Sequence, residues 1–167
     1  MEIRELGAED IPSLLKLYAQ LDPHDENLSP EQSLAIWKEN IEGNRNIRYF
    51  GAVEDGKVVS TCYCVIIPNL TKGGRPLCFV ENVVTDSEFR QRGLAAKVLD
   101  KAVAFAREHN CYKVILQSGS ARTDAHRFYE HFGFRKIGET PGVRGTLFEM
   151  EKTVIERGAG VVAPYDR

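Results

Sequence analysis

The sequence is short of everything that would carry it into a membrane or a disulfide framework. Its longest unbroken apolar run is Cys62 to Ile67, far below the roughly 20 residues a bilayer span requires. The opening Met1-Glu2-Ile3-Arg4-Glu5 alternates charged and apolar residues and has no signal-peptide core. Four cysteines, at 62, 64, 78 and 111, show no CxxC spacing, which argues against a structural zinc site and against disulfides. A formal net charge of −2 over 167 residues leaves no basic excess for nucleic-acid binding. There is no HExxH, no GxGxxG, no GK[ST] and no GxSxG, so the zinc-protease, dinucleotide, P-loop and serine-hydrolase patterns are all missing. Internal repeats and low-complexity tracts are also absent. These absences leave a cytosolic chain with reduced thiols, expected to form a single domain over 1–155 followed by a tail at 156–167.

What is there suffices for a core: 43% of residues are hydrophobic and 28% charged, a balance typical of a globular domain. The near-neutral total hides an asymmetry. Residues 1–60 hold 12 acidic and 6 basic side chains, whereas residues 90–136 hold 10 basic and 4 acidic. Solvated helix faces explain this as well as an anion site beside a cation site does. Asp22, Asp25 and Glu26 gather in one turn-rich loop, which would favour a cationic amine as ligand.

Hydrophobic spacing orders the elements. A short strand over Met1–Leu6 precedes a helix over Ala8–Leu21. Ser29-Pro30-Glu31-Gln32 has the Ser cap, first-turn Pro and Gln of a helix start, and that helix should run to Glu42. Tyr49–Val53 and Val58–Ile67 form a hairpin about Asp55-Gly56. A strand over Leu77–Thr85 follows, then an amphipathic helix over Gly93–His109, a strand over Tyr112–Gln117 and a helix over Thr123–Phe132 stopped by Gly133. Phe134–Gly138 and Thr146–Lys152 are the last strands. Strand, helix, strand, helix over 77–132 implies a parallel pair with a right-handed crossover. The fold class is therefore α/β: a mixed, mostly antiparallel sheet with a central parallel βαβα unit and helices on both faces.

Arg90-Gln91-Arg92-Gly93-Leu94-Ala95 joins the Leu77–Thr85 strand to the long helix. Small residues at such a junction leave the first helical N–H groups uncovered at the positive end of the helix dipole, a place suited to phosphate. By local physics a plain helix entrance is as good a reading. However, Arg90-x-x-Gly93-x-Ala95 resembles the (Q/R)xxGx(G/A) signature of the GNAT superfamily of acyl-CoA-dependent N-acetyltransferases. Ala125-x-x-Phe128-Tyr129-Glu130-x-x-Gly133-Phe134 resembles the superfamily's second motif, in the right order and at the right distance. The resemblance implies acetyl-CoA as co-substrate and no metal. It implies Val83, Val84 and Thr85 along the pantetheine arm, Gln91, Arg92, Gly93, Leu94, Ala95 and Ala96 around the pyrophosphate, and Arg122 and Phe128 as further cofactor contacts. Arg122 stands where the superfamily often has Asn.

Glu81 interrupts the apolar run Leu77–Val84, which a parallel strand would bury on both faces. A buried carboxylate must pair with a cation, shift its pKa upward, or do chemistry. Amine acetylation needs a neutral nucleophile, so Glu81 is the expected proton acceptor, directly or through water. The resemblance places Tyr129 near the thioester sulfur and so implies that it protonates the departing thiolate; without the motif, an aromatic packed with Phe128 and Phe132 is the favoured reading. Cys78 and Cys111 have no base nearby in sequence and read as small apolar fillers, which favours direct transfer over an acyl-enzyme. Trp37, in step with Leu34 and Ile41, reads as core or pocket wall. The expected partner is a small-molecule amine, with neither nucleic acid nor membrane and with a homodimer allowed. A peptide acceptor and a catalytically silent acyl-CoA-binding module are the competing readings.

Overall fold

The computed structural model describes residues 1–24, 26, 28–140 and 145–157; Asp25, much of the 139–146 segment and the tail beyond 157 lie outside the described residues. Among the described residues there are seven strands: β1 (Glu2–Glu5), β2 (Ile47–Glu54), β3 (Lys57–Ile67), β4 (Leu77–Thr85), β5 (Lys113–Gly119), β6 (Arg135–Thr140) and β7 (Gly145–Glu151). The helices are α1 (Ile11–Leu21), α2 (Pro30–Ile36), α3 (Leu94–Glu108), α4 (Thr123–Phe132) and α5 (Lys152–Arg157). The strands form one open mixed sheet in the order β1-β2-β3-β4-β5-β7-β6. As the βαβ order implies, β4 and β5 run parallel, in register from Leu77 opposite Lys113 to Val80 opposite Leu116. The β1–β2, β5–β7 and β6–β7 pairs are antiparallel.

By contact density the chain divides into two compact units. Among the described residues, the first comprises those of Met1–Cys64 and Asn82–Ala102, and the second those of Val65–Glu81 and of 103–157. In the first, Leu6, Leu14, Leu17, Val53, Val58 and Val84 make one buried cluster, with Tyr18, Leu21 and Tyr49 packed at its margin. In the second, Val80, Val114, Leu116, Phe148, Met150 and Ile155 are fully buried. Along α3 the buried residues are Leu94, Val98, Leu99, Ala102, Val103, Phe105 and Ala106, and all but Phe105 belong to the stripe that helical spacing picks out.

Local chemistry sets the helix starts. The Ser29 hydroxyl accepts from the Gln32 N–H at 3.2 Å and Gln32 accepts from the Ser29 N–H at 2.9 Å, a complete capping box. Beyond Ile36 the helix widens to a π turn over Trp37–Ile41, closed by the Glu42 N–H donating to the Trp37 carbonyl at 2.8 Å. At the start of α1, Asp10 is buried and accepts two bonds from Arg4, at 2.7 and 2.8 Å, and one from the Gly7 N–H at 2.9 Å. Burial alone would push the Asp10 carboxyl up, but the Arg4 bonds and charge and the Gly7 N–H together hold it below its ordinary value. A lowered folded-state pKa stabilises above the unfolded value and is lost as pH falls through the folded one. Asp10→Asn should therefore cost about 1–3 kcal/mol at neutral pH. That difference from wild type should shrink below about pH 4, as read by urea melts at both pH values.

Candidate active site

The junction after β4 is braced from several sides within the first unit. The Thr85 hydroxyl shares a 2.8 Å hydrogen bond with Ser60. Asp86 accepts from the Glu88 N–H at 2.9 Å, opening the 3-10 turn Ser87–Phe89. Gln20 of α1 donates to Asp86 at 3.0 Å and accepts from the Ser87 N–H at 3.1 Å. Arg90 donates to the Thr85 carbonyl at 3.3 Å, and Arg92 donates to the Glu88 carbonyl at 3.3 Å while its guanidinium lies 4.7 Å from the Phe89 ring centroid. Two cations are thus held at the turn rather than left to wander.

The backbone between them is shaped for an anion. Gln91 and Gly93 have φ of +61° and +69°, and left-handed residues in such a turn aim successive N–H groups toward one concavity. The first α3 bond is Lys97 N–H to the Gly93 carbonyl at 3.2 Å, so the Leu94, Ala95 and Ala96 N–H groups have no acceptor inside the helix. No heavy atom lies within 4 Å of where a Gly93 Cβ would stand. The first unit therefore gathers Val83, Val84, Thr85 and Gln91 to Ala96, and the turn offers backbone N–H groups and open space that could hold a phosphate-bearing group. Gly93→Asp would add strain at positive φ and a negative charge in that concavity. Acetyl-CoA affinity should fall at least about tenfold, measured by titration calorimetry on a variant shown to be folded.

Strand β4 corrects one expectation. It is not buried on both faces: Cys78, Val80 and Val84 are buried, while Leu77, Phe79, Glu81, Asn82, Val83 and Thr85 are half-buried. The parallel ladder ends at Val80, and Asn82 has φ of +51°. A left-handed residue inside a strand breaks the alternation, and Asn is among the few non-glycine residues that adopt it readily. Glu81 therefore stands at the last ordinary position before the break, half-buried and engaged by neighbouring groups. The left-handed break at Asn82 is a feature that strand periodicity misses; its only trace in the sequence is an Asn within an apolar run.

In the second unit, the end of α4 explains why its motif carries both an aromatic pair and Gly-Phe. Gly133, at φ of +119°, donates to the Glu130 carbonyl at 3.1 Å, and Phe134 donates to the Tyr129 carbonyl at 2.9 Å. This doubly bonded stop needs a left-handed residue at Gly133. It returns Phe134 to within 6.1 Å of the Tyr129 ring centroid, and Phe148 of β7 lies 5.5 Å from it. Tyr129 is 3% exposed, so its ring is locked by packing. Phe128 is half-buried beside it at 5.4 Å, and Arg122 is exposed at the start of α4.

His126 on α4 and the cysteines have structural surroundings. His126 bonds the Gly119 carbonyl at 2.9 Å and packs on Phe148 at 5.2 Å. All four cysteines are buried, and burial pushes the Cys62 thiol well up, the reverse of an activated nucleophile. Among the described residues no group of three or more His, Cys, Asp or Glu side chains is placed to hold a metal, and no helix is long and apolar enough to cross a membrane.

Comparison with known proteins bears on the same residues. Residues 11–134 match the acetyltransferase (GNAT) family. A glucosamine 6-phosphate N-acetyltransferase from Trypanosoma brucei brucei is 31% identical over 140 residues, covering 81% of this chain and 89% of its own length. A solved chain from Agrobacterium tumefaciens, provisionally described as an acetyltransferase, is 37% identical with a TM-score of 0.79, over 86% of this chain and 99% of its own. The crystal structure of a Trypanosoma brucei acetyltransferase is 30% identical with a TM-score of 0.70, over 83% of this chain and 95% of its own.

Proposed function

The chain belongs to the acetyltransferase (GNAT) family, and on that premise we propose that it moves the acetyl group of acetyl-CoA to the primary amine of a small molecule, by direct attack in a ternary complex. The observation that carries this reading is the turn from Gln91 to Gly93, whose two left-handed residues and open Gly93 position suit a pyrophosphate. The similarity to a glucosamine 6-phosphate N-acetyltransferase over 81% of the chain favours a small acceptor over a peptide. Acetyl-CoA supplies an activated thioester carbonyl.

In this reading the residues divide the work. The backbone of Val83 to Thr85 runs along the pantetheine arm, Gln91 to Ala96 hold the pyrophosphate, and Arg122 and Phe128 add contacts. Glu81 accepts the ammonium proton, directly or through water, which leaves a neutral amine to attack the carbonyl carbon. The C–N bond forms as the C–S bond breaks, the Tyr129 hydroxyl supplies a proton, or a hydrogen bond, to the sulfur, and the second proton shed by the new amide nitrogen restores Tyr129 or passes to solvent. Holding both substrates together replaces a collision with an oriented encounter. The enzyme would work in the cytoplasm, where reduced buried cysteines are at home. Asp22 and Glu26 are exposed, and an exposed pair of acids acts on substrate approach more than on binding.

The test is thiol release from acetyl-CoA across a panel of amino sugars, aminoglycosides, polyamines, amino acids and N-terminal peptides. Release that depends on a small amine supports the reading. Tight acetyl-CoA binding with no amine-dependent release would make the chain a silent binding module, and release with peptides alone would make it a protein acetyltransferase.

A further inference from the structure

The first unit brings together four aromatic side chains from four separate elements: Tyr18 of α1, Trp37 after α2, Tyr49 of β2 and Tyr63 of β3. Tyr49 and Tyr63 stack with centroids 4.8 Å apart and planes 15° apart, and Trp37 backs Tyr49 at 5.0 Å. Trp37 is buried, whereas Tyr18, Tyr49 and Tyr63 are only half-buried, so the tyrosines retain reachable surface. The groups that act electrostatically on Tyr18 are Tyr49, Asn82, Cys62 and Tyr63, none of them charged at neutral pH. Burial pushes the Tyr18 phenol well up, and burial with Tyr63 pushes Tyr49 up to about 12, so both hydroxyls keep their protons.

Packing alone does not account for the polar atoms of this cluster. The Tyr18 hydroxyl is buried and has no hydrogen-bond partner in good geometry, though the Asn82 side chain pulls against its upward shift. A buried hydroxyl left without a partner is costly, and native proteins rarely leave one without reason. The backbone departs from regularity at the same residues: Trp37 opens the π turn, a distortion that concentrates at functional sites, and Asn82 is left-handed and follows Glu81 in the chain.

We infer that Tyr18, Tyr49 and Tyr63, backed by Trp37, hold the uncharged hydroxylated ring of the acceptor amine. Flat aromatic faces with a few convergent polar groups are the usual lining of a small-molecule site. A ring bearing hydroxyls stacks on the tyrosine surface that remains exposed, and a small shift of the Tyr18 ring brings its buried hydroxyl within reach of one of them. The absence of charge matters to the chemistry. An aromatic cage around the ammonium itself would stabilise the protonated amine and oppose the deprotonation that attack requires, so the cluster fits the body of the acceptor rather than its reacting nitrogen. The inference rests on the acetyltransferase reading for the word acceptor, but its binding test does not depend on turnover.

Trp37 is the only tryptophan of the chain, so its fluorescence reports on the cluster directly. D-glucosamine titrated into the full chain should change that emission saturably. 1,5-Diaminopentane, an amine with no ring, should give no saturable change over the same range. Tyr18→Phe keeps the ring and removes the unpartnered hydroxyl, and should raise the glucosamine Kd about fivefold. Tyr63→Leu, which removes one face of the stack, should raise it as well. In turnover, KM for glucosamine should rise by more than kcat falls, with KM for acetyl-CoA unchanged. A wild-type Kd in folded Tyr18→Phe and Tyr63→Leu, equal or tighter binding of the diamine, or no saturable response to glucosamine would each overturn the inference. Saturable binding without thiol release from acetyl-CoA would instead overturn the acetyltransferase reading and leave the subsite standing.

Discussion

Tyr129→Phe is expected to lower kcat roughly 10²-fold, the lower range for loss of a general acid, in a folded variant whose acetyl-CoA affinity stays at the wild-type value. The substitution is chosen because the ring is already accounted for. Phe128, Phe134 and Phe148 enclose it, and the stop at Gly133 fixes where α4 ends. Phenylalanine keeps every one of those contacts, so any kinetic deficit belongs to the hydroxyl. Pre-steady-state thiol release, which isolates the chemical step from product release, is the measurement. Wild-type release in the folded variant would return Tyr129 to a packing role.

Glu81→Gln carries the second large effect. The amide keeps the size and the half-buried position but accepts no proton, so kcat/KM should fall by roughly 10²- to 10⁴-fold. The pH profile separates this loss from a binding defect. In wild type, kcat/KM should rise with pH as the base loses its proton. In the variant that limb should disappear, with activity recovering only as the amine itself deprotonates in alkaline solution. A variant that keeps the wild-type limb would show that another group takes the proton.

The reach of sequence reasoning follows the distance over which each feature is determined. Helix α4 coincides with its expected span Thr123–Phe132, and β4 with Leu77–Thr85, because a periodic face and a Gly stop are local signals. The parallel β4–β5 pair followed from chain order alone, since a strand-helix-strand crossover has few other solutions. The capping box at Ser29 was legible for the same reason, being complete within four residues. The π turn at Trp37 was not: the segment keeps a helical apolar rhythm, and the extra residue per turn changes no residue type. The left-handed Asn82 was hidden by the strand pattern on either side of it. Least legible was the Tyr18–Trp37–Tyr49–Tyr63 cluster, whose members come from four elements and meet only through tertiary packing. At Gly93 the motif and the backbone agree, because a residue that must be left-handed with open space beside it leaves glycine as the unstrained choice.

Direct transfer in a ternary complex is the central claim, and a single-turnover experiment with isotopically labelled acetyl-CoA tests it most directly. Enzyme in slight excess is mixed with labelled acetyl-CoA, with and without an amine from the active set. The intact protein and the small molecules are then weighed by mass spectrometry at successive times. The account predicts that label appears on the amine nitrogen in step with thiol release, and that the protein mass never changes whether or not amine is present. An acetylated protein formed without amine, and discharged when amine is added, would contradict it.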